Sequence, residues 1–166
     1  MGWSKTKTRP LAVGSPAPDF KVADLEGAQH SLSSLLAGGP VLLAFFKVSC
    51  PTCQFALPFL ERIHQRAQPG SPRIFLVCQD DARSARDFSR EFGLTMPTLV
   101  DDGRKGYAMS NAFHITHVPT LFTVEQDDRI SFTTNGFSRA DFQALGDRAG
   151  VAPFQPGEDV PDWRAG

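Results

Sequence analysis

The chain has 166 residues, 41% of them apolar and 21% charged, and carries a net charge of −1. These values fit one globular domain with a full core; they give no support for nucleic-acid binding or for an anionic membrane surface. Three cysteines are too few and too unevenly spaced for a disulfide-stapled scaffold, and no apolar run reaches the length of a transmembrane segment.

Residues 1–13 are polar and basic and read as an N-terminal arm. Their start loosely fits a myristoylation pattern, which carries little weight, and they lack the apolar core of a signal peptide. Taken as complete, the chain is expected in the cytoplasm; a chain that has lost a leader would work in the periplasm or another extracytoplasmic space.

Phe20 to Ala23 and Ala28 to Ser31 flank Asp24-Leu25-Glu26-Gly27, a hairpin signal. Ser31 caps a short helix, Leu32 to Ala37, stopped by Gly38-Gly39-Pro40. Val41 to Phe46 is a continuous apolar run, as expected for a strand buried on both faces. A helix follows from Pro51 to about Ala67, with Phe55, Phe59, Leu60 and Ile63 at helical spacing and Pro58 expected to kink it.

Ile74 to Cys78 is a second buried strand, and Asp81 to Phe92 a helix closed by Gly93. Pro97 to Val100 is extended, Lys105 to Phe113 reads as a short helix, and Pro119 to Val124 pairs with Ile130 to Thr134 as a hairpin. Ser138 caps a last helix, Arg139 to Ala149. Residues 14–150 thus form the domain, and residues 151–166, rich in Pro and charge, read as a C-terminal tail. Fourteen Phe against one Tyr and two Trp predict a core of stacked rings. The element order describes an α/β sandwich with a mixed sheet.

The chemistry concentrates at Cys50-Pro51-Thr52-Cys53. Two sulfurs at this spacing stand one above the other on a single helical turn, close enough to form a disulfide or share a metal. Pro51 suits the first helical position. A thiol just before it faces unpaired backbone N–H groups and the positive end of the helix dipole, which favours the thiolate. Cys78, inside an apolar strand, reads as a small core hydrophobe.

The run Val41–Phe46, Cys50-Pro51-Thr52-Cys53, Pro58 and Val118-Pro119-Thr120 resembles the thioredoxin superfamily. Gly14-Ser15-Pro16-Ala17-Pro18-Asp19-Phe20, Leu32 to Leu36 and Gln79-Asp80-Asp81 are similar to its AhpC/TSA- and TlpA-like redoxin branch, over roughly residues 14–150. The resemblance implies a thioredoxin-like sandwich, a mixed central sheet flanked by helices with an N-terminal β-hairpin extension. It implies that Cys50 attacks, that the buried Cys53 resolves, and that Pro119 lies in a cis-proline loop. Substrate would meet the backbone at Val118 and Pro119 and the side of Pro51 and Thr52.

This sequence departs from the family's pattern. Ser49 replaces the usual Trp, and Lys47 lies in a stretch that is usually apolar. Ala44 and Ala56 stand where thioredoxins and TlpA-like proteins carry the acid that takes the second thiol's proton. This leaves water, Lys47 or an imidazole, His117 by preference, to accept the Cys53 proton; Lys47 is also a candidate for tuning a neighbouring thiol by its charge. The peroxiredoxin pattern places a hydroxyl three residues before the reactive cysteine and a proline four before that. Counted from Cys50 these positions hold Lys47 and Leu43; counted from Cys53 they hold Cys50 and Phe46.

The expected function is therefore thiol–disulfide exchange between the Cys50–Cys53 pair and protein or low-molecular-weight disulfides, re-reduced by an unspecified electron donor. No cofactor beyond the redox-active disulfide is expected. A thiol-dependent peroxide reductase is the alternative within the same branch. A Cu or Zn module, adding His114 and His117 to the two sulfurs, is the less favoured one; the copper-delivery proteins of this fold separate their cysteines by one residue more.

Overall fold

A computed structural model describes residues 10–166; residues 1–9 of the expected arm, with the myristoylation-like start, lie outside the described residues. The hairpin consists of β1 (Lys21–Asp24) and β2 (Gln29–Ser31). Asp24 closes its turn by accepting the N–H groups of Glu26 and Ala28 at 2.9 and 3.0 Å. Helix α1 (Leu32–Leu36) begins at a capping box between Ser31 and Ser34.

The apolar run is β3 (Val41–Phe46), buried at every position. It pairs in parallel with β4 (Arg73–Cys78) on one side and antiparallel with β6 (Thr120–Val124) on the other. Beyond β4 lies β5 (Thr98–Val100), also parallel, and the hairpin strand β1 pairs antiparallel with it. With β7 (Ile130–Asn135) the order is β2-β1-β5-β4-β3-β6-β7, a mixed seven-stranded sheet. Helices α2 (Pro51–Arg66), α3 (Ala82–Phe92) and α5 (Arg139–Ala149) supply the cover. Asp81 and Ser138 cap the last two, and Gly93 ends α3 in the left-handed region.

The phenylalanines stack as expected. Phe45 meets Phe113 at 5.5 Å and Phe122 at 6.0 Å. A second group joins Phe55, Phe59, Phe137, Phe142 and Phe154.

Two regions differ from the expectation. The helix expected over residues 105–113 is divided. A 3-10 turn, Gly103–Lys105, precedes Gly106 and Tyr107, both at positive φ, and α4 spans only Ala108–Ala112. Its start is fixed by the buried Asp101 carboxylate, which accepts the N–H groups of Met109 and Ser110 at 2.9 and 2.7 Å and the Ser110 hydroxyl at 2.6 Å.

Residues 151–166, read as a tail, are anchored along their length. Val151 and Val160 are buried, and the Phe154 ring meets Phe59 edge-on at 5.0 Å. Glu158 takes both guanidinium arms of Arg62 at 2.6 Å. The segment ends in β9 (Trp163–Arg164), which pairs antiparallel with β8 (Phe137–Ser138). It thereby returns to the end of the sheet where β3 meets α2.

Candidate active site

The site lies where β3 ends and α2 begins, outside the carboxyl ends of the parallel strands. Between them the chain makes a short loop held from both sides. The Asp80 carboxylate, just past β4, accepts the Val48 N–H at 2.8 Å, and the Gln54 side chain donates to the Val48 carbonyl at 2.9 Å. With the Val48 backbone held at both its N–H and its carbonyl, Cys50 falls at the N-cap of α2 with extended backbone.

The Cys50 sulfur accepts the Cys53 N–H at 3.0 Å and lies 3.5 Å from the Val118 carbonyl oxygen. Cys50 is partly exposed and Cys53 fully buried; neither is in a disulfide. The Cys53 thiol beside it, the N–H groups of Cys53 and Thr52, and the Arg164 charge lower the Cys50 pKa from its ordinary value to about 6, against the opposing effect of burial. Burial, followed by the neighbouring Cys50, pushes the Cys53 thiol far up. One sulfur is therefore a thiolate at neutral pH and the other stays protonated.

Pro51 is exposed at the first position of α2. Thr52 is buried, its hydroxyl donating to the Ala165 carbonyl at 2.6 Å. The Val118–Pro119 peptide is cis, and the Gly136 N–H donates to the Pro119 carbonyl at 2.9 Å.

Lys47 and His117 share the wall of one cavity with Cys50. The cavity is about 400 Å³ and also meets Gln79, Tyr107 and Asn111. The Lys47 ammonium stands 5.8 Å from the centre of the Tyr107 ring. His117 Nδ1 lies 2.8 Å from the Thr116 hydroxyl, and its Nε2 is buried without a partner among the described residues. Both side chains thus stand on the Cys50 side of the pair. Among the described residues no three His, Cys, Asp or Glu side chains form a group able to hold a metal.

Cys78 lies across from Phe46 at the end of β4, where burial raises its pKa to about 12. No local pattern in the sequence assigns a role to Asp80, Gln54, Arg164 or Ala165. The run Gln79-Asp80-Asp81 carries only a family likeness. The other three owe their place to pairings distant in sequence or to the helix's own geometry.

A profile of the family described as Redoxin matches residues 12–147. The chain belongs to the redoxin family. This redoxin is 30% identical over 132 residues to the thiol-disulfide oxidoreductase ResA of Geobacillus thermodenitrificans, covering 79% of its own chain and 74% of that protein. Among solved structures it resembles a putative thiol:disulfide interchange protein, DsbE, from Chlorobium tepidum. The TM-score is 0.71 at 24% identity, over 83% of this chain and 95% of that one. It also resembles the peroxidoxin BcpB from Mycobacterium tuberculosis, with TM-score 0.67 at 21% identity over 82% and 92% of the two chains. These two neighbours establish the thioredoxin-like fold, shared by disulfide exchangers and a peroxidoxin alike. Among the described residues no helix is long and apolar enough to cross a membrane.

Proposed function

We propose that this redoxin is a thiol–disulfide oxidoreductase in which Cys50 attacks and Cys53 resolves. The observation that carries the assignment is the asymmetry of the pair. A partly exposed sulfur accepts a helix N-terminal N–H at 3.0 Å, while its partner is wholly buried. The match to ResA, a thiol-disulfide oxidoreductase, supports the same reaction class.

In the reducing direction the Cys50 thiolate attacks one sulfur of a substrate disulfide. A Cys50–substrate disulfide forms and the other substrate sulfur leaves as a thiolate. Cys53 then loses its proton and attacks the Cys50 sulfur. The Cys50–Cys53 disulfide forms, the second substrate sulfur departs, and the two leaving thiolates take up protons. Two electrons pass from the pair to the substrate, and an external dithiol must return them.

Lys47 and His117 act, in this reading, on charge and protons around Cys50 and the leaving thiolate. Val118 and Pro51 border the approach to the sulfur. The scheme is the same in the cytoplasm or outside it, because the compartment's redox poise sets only the direction of flow.

Reductant-coupled turnover of oxidised glutathione tests the assignment. Cys50→Ser should lose roughly 100-fold or more of the rate, and Cys53→Ser should accumulate a mixed disulfide visible by mass spectrometry. Full activity in Cys50→Ser would remove Cys50 from its role. A saturable peroxide turnover exceeding disulfide turnover would favour the peroxidase instead.

A further inference from the structure

We infer that residues 163–166 form a specificity strap that covers the backbone edge beside Pro119 and directs Cys50 toward low-molecular-weight disulfides rather than protein disulfides. The inference rests on the thiol–disulfide reading above. A polypeptide substrate needs a length of exposed backbone with which to pair in extended form. The free edge nearest the Cys50 sulfur is the Val118 carbonyl, 3.5 Å away. That edge already has an occupant. Gly166 approaches the Val118 carbonyl so closely that a Cβ on it would collide with the oxygen and crowd the His117 ring.

The strap is tied down at successive residues. The Arg139 N–H donates to the Asp162 carbonyl at 2.9 Å, and Arg164 pairs with Phe137 across β8 and β9. The Arg164 guanidinium lies 4.8 Å from the centre of the Phe55 ring, and Ala165 accepts the Thr52 hydroxyl at 2.6 Å. It therefore runs from the start of α5 across the first turn of α2 to the Val118 edge, where an extended substrate chain would lie.

Beside the strap an opening to the sulfur remains. The cavity of about 400 Å³ that reaches Cys50 has Lys47, Tyr107 and His117 on one side and Val118 and Gly166 on the other, so the end of the strap forms part of its wall. Its size is that of a small-ligand pocket, and the Lys47 ammonium gives its wall a positive charge. A small disulfide can lie in that cavity with the strap in place as one wall, whereas a protein disulfide must first displace it.

The test compares kcat/KM for oxidised glutathione and for insulin in the full chain and in Gly166→Val, whose added side chain cannot keep its seat on Val118. The wild-type chain should favour oxidised glutathione over insulin by about tenfold or more. Gly166→Val should raise the ratio of the insulin value to the glutathione disulfide value about tenfold. A tenfold change is about 1.4 kcal/mol, the scale of a single net hydrogen bond such as Thr52 to Ala165. Gly136→Asn provides a second route. Its φ of 69° suits Asn, and its Cβ would press on the Arg164 carbonyl, so it should shift the same ratio in the same direction. An unchanged ratio in both variants, or a wild-type preference for insulin, overturns the strap. Loss of turnover on both substrates in the wild-type chain overturns instead the oxidoreductase reading beneath it.

Discussion

The Cys53 N–H donates to the Cys50 sulfur at 3.0 Å, so the second cysteine stabilises the thiolate of the first before any disulfide forms. The arrangement divides the labour by depth. Cys50 is stabilised as an anion at the mouth of the site, and Cys53 is kept protonated until a mixed disulfide needs resolving.

The first prediction concerns pH. Cys50 titrates at about 6 in the folded chain, against about 8.5 for an unperturbed thiol. Alkylation of Cys50 should rise through pH 6 and be nearly level by pH 8, followed by mass spectrometry of the modified peptide. Because folding depresses this pKa, its stabilisation of the reduced protein is full above the unfolded value and disappears as pH falls through 6. The difference in denaturation midpoint between wild type and Cys50→Ser should therefore grow from pH 6 to pH 9. A flat difference would contradict the assignment of the shift to the folded site.

Asp80 provides the second. Its carboxylate holds the Val48 N–H at 2.8 Å while Gln54 holds the carbonyl of the same residue. Asp80→Ala leaves that N–H without its charged acceptor, a loss of about 2 kcal/mol in chemical denaturation. With the loop before Cys50 released, disulfide turnover should fall about tenfold, since small displacements of a reacting group carry large rate costs. Unaltered turnover together with unaltered stability would show that the clamp is idle.

The third concerns the anchor of residues 151–166. Glu158 engages Arg62 through both oxygens, and this contact, with the Gln155 N–H, lowers its pKa to about 2. A depressed carboxylate pKa means the anchor is complete above the ordinary value near pH 4.5 and is lost as pH falls toward 2. Hydrogen-exchange protection across residues 151–166, taken relative to the intrinsic rate at each pH, should fall over that interval, and Glu158→Gln should show faster exchange than wild type already at pH 7. If the segment exchanges equally fast in both proteins at pH 7, other contacts hold it.

The sequence by itself determined the scaffold and the sulfurs. Val41 to Phe46 is apolar without interruption because both of its faces are covered, and that pattern survives any detail of the surroundings. The caps Ser31, Asp81 and Ser138 are local too, each binding an N–H three residues away. Cys50 and Cys53 owe their spacing to one helical turn, which any helix beginning at Pro51 would supply.

Tertiary structure alone decided what surrounds those sulfurs. Asp80 reaches Val48 across 32 positions, and Thr52 reaches Ala165 across 113; no local pattern encodes either pairing. Residues 151–166 look like a tail in sequence because they lack periodicity. Their order comes from separate contacts with α2, β8 and the Val118 edge, each made by a different residue. Hydrophobic periodicity reports which face of an element is buried, but not which distant backbone carbonyl a hydroxyl will find.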